Sequence, residues 1–104
     1  MLAGGRPVGE WVAALNAPDP KTRKAAALKL GNVGPADPHA LPALIAALED
    51  RDAKVRSEVV LALVKFGPDA REAAPRLEEM RRKDPDSKVR DYAGKLLEKL
   101  AVAE

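Results

Sequence analysis

Val55, Val59, Ala62, Leu63 and Phe66 stand three or four residues apart in the middle of the chain, which is the spacing of one buried face of an α-helix. Leu44, Ile45 and Leu48 repeat that spacing just upstream. The two apolar faces pack against each other as a helix pair, but one such pair cannot bury both of its sides.

The same pattern recurs. A shift of 33 residues lays Gly34-Pro35 on Gly67-Pro68, Ala40 on Ala73, Pro42 on Pro75 and Leu44 on Leu77. It also lays Asp19, Arg23, Leu28 and Leu30 on Asp52, Arg56, Leu61 and Leu63, and a step of 34 carries Asp52, Val55, Arg56 and Leu63 onto Asp86, Val89, Arg90 and Leu97. The chain therefore reads as three copies of a two-helix unit, over about 8–34, 37–67 and 69–103. Three is about the smallest number that can stack into a stable array.

The spacing predicts first helices over Val8–Asn16, His39–Glu49 and Asp69–Lys83, and second helices over Lys21–Val33, Ala53–Phe66 and Ser87–Ala101. Asp19 before Pro20 is an N-cap, Asp37-Pro38 repeats the arrangement, and Asp52 and Asp86 take the same place before the later second helices. Asp69 with Glu72 has capping-box spacing. Gly34-Pro35 and Gly67-Pro68 stop helices, since glycine accepts positive φ and proline cannot continue the helix. Pro42 and Pro75 demand a bend or a late start in two of the first helices, and Gly9 at the matching place leaves the remaining one either straighter or frayed.

Composition narrows the chemistry. With 3% aromatic residues and abundant Ala, Leu, Val and Lys, the chain suits closely packed short helices and not an all-β fold. The absence of cysteine excludes disulfides, thiolate nucleophiles and Cys-containing zinc sites, and one histidine cannot build a histidine metal site. No catalytic set, metal or cofactor is expected. The stretch Met1 to Arg6 is too short and glycine-rich for a secretory signal, no segment has the apolar length of a membrane span, and a cytoplasmic setting is expected.

A period of 33 or 34 also fits tetratricopeptide and ankyrin arrays, but the Trp, Gly and Tyr pattern of the first is absent and His39-Ala40-Leu41-Pro42 has the wrong order for the second. The string Asp-x-x-x-Arg opening each second helix, the stretches Asp19–Gly31, Leu41–Leu48 and Asp84–Arg90, and the closing Gly-Pro resemble the HEAT repeat, closest to its short bilin-lyase-type subclass. The resemblance covers nearly everything after residue 8. It implies an all-α fold, a right-handed α-solenoid, and in most members a scaffold for macromolecular partners. It also implies that Asp19, Asp52 and Asp86 with Arg23, Arg56 and Arg90 form a ladder linking one unit to the next. The third copy departs from the pattern at Arg81-Arg82-Lys83 and at Gly94, so it is expected to be looser or to act as a cap.

Trp11 aligns with Leu44 and Leu77 and belongs to the core, while His39 lies in a loop with no second ligand. The basic run Arg81–Lys83 is flanked by Glu78, Glu79, Asp84 and Asp86, and a chain only two charges positive lacks the sustained positive surface that phosphate binding requires. A solvated helix end is the reading taken, and nucleic acid is not the expected partner.

Counted from each ladder arginine, the outward slots of the second helices form rows: Lys24, Ser57, Asp91; Ala25, Glu58, Tyr92; Leu28, Leu61, Lys95; and Asn32, Lys65, Lys99. An apolar strip with a charged rim suits a protein-binding groove, so Lys24, Leu28, Ser57, Glu58, Leu61, Lys65, Tyr92 and Lys95 are the candidate partner-binding residues. A phase different by one residue would instead tuck Leu28 and Leu61 against the next helix. The expected function is a non-enzymatic protein-interaction scaffold. The alternatives are a bilin-lyase-like ligand-handling subunit, which the resemblance alone carries, and a nucleic-acid-binding module. End-to-end self-association, or membership of a longer solenoid, would use the terminal faces near Trp11 and near Leu97 and Ala101.

Overall fold

A computed structural model describes residues 2, 3 and 5–102 of the chain; residue 103, the expected end of the third copy, lies outside them, as do residues 1 and 4 of the N-terminal stretch. Two short strands, β1 (Leu2–Ala3) and β2 (Arg6–Pro7), pair antiparallel ahead of the helices, a hairpin the sequence pattern does not announce. Six α-helices come after it: α1 (Val8–Ala14), α2 (Pro20–Val33), α3 (Ala40–Ala47), α4 (Ala53–Val64), α5 (Ala74–Lys83) and α6 (Ser87–Val102).

Successive helices pack as hairpins, α1 on α2, α3 on α4 and α5 on α6, and the second helices also pack side by side, α2 on α4 and α4 on α6. The result is a two-layer, all-α solenoid measuring 35 × 31 × 16 Å between Cα atoms. The core lies between the layers: Trp11, Leu15, Leu44, Leu48, Leu77 and Met80 from one side meet Leu30, Val59, Leu63, Val89 and Leu96 from the other. Each fully buried leucine or valine contributes about 1.5–3 kcal/mol, so the interlayer seam supplies most of the driving force. Trp11 is buried as expected, with the Arg6 guanidinium 5.0 Å above its ring.

Gly34 and Gly67, at φ 61° and 57°, turn the chain as the Gly-Pro pairs require. The helix starts beyond these turns differ from the expected ones. The segment Gly67–Ala73 is a 3₁₀-helix, α5 starts only at Ala74, and no side chain caps it. The Pro75 ring would collide with the carbonyl four residues back in a continuous α-helix, so the α-helix cannot run through from Asp69. The Asp69–Glu72 capping box is therefore not formed. Asp37 is likewise not the cap of α3, whose N-cap is His39. Its carboxylate instead accepts from the His39 backbone N–H at 2.8 Å and lies 3.0 Å from His39 Nδ1, closing a turn one step before the helix. The backbone bond, followed by the imidazole, outweighs desolvation and lowers the Asp37 pKa below the ordinary value.

At Gly31 the backbones of α2 and α4 come close together. A Cβ built on Gly31 would lie 2.8 Å from Ala62 Cβ and 2.9 Å from its Cα, so only glycine lets the two helices meet there. Gly94 is in easier surroundings, facing the aliphatic stem of Arg81 at 3.3 Å.

Candidate functional site

The charged ladder exists, with different acidic partners from those expected. Arg23 donates through Nε and Nη2 to the Asp50 carboxylate at 2.8 and 3.2 Å, and Arg56 does the same to Asp84 at 2.9 and 3.0 Å. The third nitrogen points backwards: Nη1 of Arg23, Arg56 and Arg90 donates to the carbonyls of Ala17, Asp50 and Asp84, six residues earlier in each case. Asp19, Asp52 and Asp86 are occupied as N-caps, accepting from Lys21; from Lys54 and Val55; and from Val89. A short side chain committed to its own helix terminus is not free to reach the next unit. The carboxylate two residues before the cap does so instead.

That position repeats too: Ala17, Asp50 and Asp84 obey the 33- and 34-residue shifts, and only the latter two carry the acid. Arg23 and Arg56 are held in bidentate pairs in a nearly dry seam, so they are structural links.

Two open clefts flank this ladder. One, of about 470 Å³, is lined by Val12, Leu15, Arg23, Ala47, Asp50 and neighbours; the other, of about 400 Å³, is its counterpart one repeat on, around Arg56, Arg76, Met80 and Asp84. Their charges are largely spoken for by the two ladder pairs and by Arg76, which lies between Glu49 and Glu79. The Arg76 Nε is 2.9 Å from Glu49 but poorly aimed for a hydrogen bond. No group in either lining is placed to act as a nucleophile beside a base.

The outward face of α2, α4 and α6 has a different character. Leu28 and Leu61 stand 46% and 43% exposed, so the rows are in the expected phase and neither leucine tucks under its neighbour. Lys24, Lys65 and Lys95 are exposed, and Glu58 and Tyr92 are partly so. Lys65 Nζ donates to Asn32 Oδ1 at 3.3 Å, tying two members of one row across the repeats. Lys95 pairs with Asp91 at 3.2 Å, and Lys88 lies 5.5 Å from the Tyr92 ring centre. Ser57 is the exception. It is 9% exposed, its hydroxyl donates to the Lys54 carbonyl at 2.9 Å, and it does not line the open face.

Two features of this face escape the sequence pattern. Val64 is 36% exposed and extends the apolar strip. Lys21, Lys54 and Lys88 form a further exposed row, each two residues after a cap aspartate. The 33- and 34-residue shifts that align the leucines carry the signal for this row as well. The run Arg81–Lys83 is exposed in the last turn of α5, where cations oppose the negative helix end. His39 is exposed beside Asp37.

Tandem helix hairpins stacked in two layers, tied by a repeating arginine–aspartate link, define an α-solenoid protein. The chain matches the model of HEAT repeats over residues 9–98, and it belongs to that family. HEAT repeats commonly mediate protein interaction or scaffolding and are generally not catalytic. A search of curated proteins finds no match. Among the described residues, no helix is long and apolar enough to cross a membrane.

Proposed function

We propose that this HEAT-repeat domain is a non-enzymatic scaffold that docks a protein partner on the outward face of α2, α4 and α6. The reading rests on one observation: Leu28 and Leu61 are exposed at equivalent places in adjacent repeats, whereas Leu30 and Leu63, two residues on in the same pattern, are fully buried. Two aligned leucines left in water are costly unless a partner covers them, and a rim of lysines and polar groups around an apolar strip is the make-up of an interface. Lys24, Glu58, Lys65, Tyr92 and Lys95 supply that rim; beneath it Arg23 and Arg56, paired with Asp50 and Asp84, hold the helices in register, and Asp19, Asp52 and Asp86 cap them.

A photo-cross-linking amino acid at position 61, compared with one at Glu72, exposed in the 3₁₀ segment before α5, tests the reading in cells of the source organism. A protease-sensitive adduct formed at 61 and not at 72 is the expected result. No adduct at 61, or one removed by nuclease, would sink the proposal. Incubation with a bilin and an apoprotein, read by absorbance, should show no chromophore transfer.

A further inference from the structure

The docking face is asymmetric in charge as well as in polarity. Eight of the nine lysines of the chain belong to α2, α4 and α6 or, for Lys65, cap one of them. Counted in the same way, these helices carry Glu58, Asp91 and Glu98 as acids and Asp19, Asp52 and Asp86 as their caps, six against the eight lysines and the three ladder arginines. The whole chain is just two charges positive, so the remainder of it is net negative and the second-helix layer holds the positive excess.

Among the described residues, Lys21, Lys24 and Lys54 have no carboxylate within ion-pair distance, unlike Arg76 and Arg81 on the opposite layer, which pair with Glu49, Glu79 and Glu78. The contrast is one of degree: on the second-helix layer Lys95 pairs with Asp91 while Lys21, Lys24 and Lys54 stay open, and on the opposite layer Arg76 and Arg81 are paired while Arg82 and Lys83 at the end of α5 are exposed. The lysines also run in rows set by the repeat, so the positive potential extends across all three units beside the leucines.

We infer that the partner presents an acidic segment carrying apolar side chains, which seats Leu, Ile, Val or Phe residues on Leu28, Leu61 and Val64 and aligns Asp or Glu with the Lys21, Lys54, Lys88 row. The inference rests on the docking reading above and adds the chemistry of the partner. A nucleic acid would use the lysines but has nothing in its phosphate backbone to cover the leucines. Neighbouring helices pack about 8–10 Å apart, so crossing three of them takes roughly 20 Å. That is about six extended residues or thirteen helical ones at rises of about 3.3 and 1.5 Å.

The test is a displayed library of random 16-residue peptides selected on the intact chain, with counter-selection on the Leu28→Ser/Leu61→Ser variant. Enriched peptides are expected to be net acidic and to carry apolar residues. Their affinity should fall about tenfold or more in the leucine variant. It should fall several-fold in Lys21→Gln/Lys54→Gln/Lys88→Gln, and should weaken as salt rises. Enriched peptides that are neutral or basic overturn the inference; with a position-61 protein adduct they leave the docking reading standing. A 20-base-pair duplex that binds as tightly as the peptides, and still binds the leucine variant, overturns it in favour of a phosphate backbone. A library giving no enrichment over the variant overturns it as well.

Discussion

Arg56 and Asp84, 28 residues apart, form a bidentate pair across two repeats, with Nε and Nη2 of the guanidinium 2.9 and 3.0 Å from the two carboxylate oxygens. Because Nη1 is spent on the Asp50 carbonyl, one side chain joins the turn of its own unit to the turn of the next. Asp84 is 8% exposed, and removing the arginine would strand its charge in the seam. Arg56→Ala is expected to cost about 3 kcal/mol, which lowers Tm by more than about 10 °C in a domain of this size. Arg90 makes only the backward bond, to the Asp84 carbonyl, so Arg90→Ala should cost about 1 kcal/mol. Equal losses in denaturant titrations of the two variants would show that the ladder does not join the units.

Glycines at two helical positions should respond in opposite senses. Gly31→Ala places a methyl 2.8–2.9 Å from Ala62, whose Cα belongs to a packed helix and cannot step aside. A loss of about 1–3 kcal/mol is expected from the overpacking. Gly94→Ala meets only the Arg81 stem, which can swing, while the helix gains up to about 1 kcal/mol in propensity. Thermal melts of the two variants should move apart, Gly31→Ala downwards and Gly94→Ala level or upwards.

Caps offer a third contrast. Asp52 accepts from the N–H groups of both Lys54 and Val55, and Asp52→Ala should cost about 1 kcal/mol. Asp69 makes no side-chain cap bond in the 3₁₀ segment, so Asp69→Ala should leave the unfolding midpoint unchanged within error. A comparable loss at Asp69 would mean that the capping box forms in solution.

The same residues show how much of the molecule is legible in the sequence. The helix pairs, their order and the exposed leucines come from a three-to-four residue spacing repeated every 33 or 34 positions, because burial on a helix is periodic and the period is visible in apolar residues. The starts of α3 and α5 are not legible in the same way, because capping spacing and proline compete there, and Pro75 overrides Asp69 by excluding a backbone bond. The ladder partners escape for a related reason: an aspartate at Asp19, Asp52 or Asp86 can serve the helix terminus or the next unit, and spacing within one repeat does not say which. Ser57 reads as outward because spacing within one repeat does not show how α4 is covered once it packs between its neighbours α2 and α6 in the stack.

Leu61 and Leu63 separate folding from docking most directly, being two residues apart on one helix and 43% and 0% exposed. A charge at position 63 would sit unpaired between the layers, a burden of several kcal/mol that exceeds what a small solenoid has to spare. Leu63→Asp is therefore expected to abolish the cooperative melt seen by circular dichroism. At position 61 the carboxylate points into water, where substitutions usually change stability by no more than about 0.5 kcal/mol. Leu61→Asp should melt within a few degrees of the parent chain. It should nevertheless lose capture of the position-61 partner, because the leucine contact is gone, and the added acid would repel a segment already rich in acids. A Tm that falls as far for Leu61→Asp as for Leu63→Asp would make Leu61 a core residue and remove the leucine strip from the docking face.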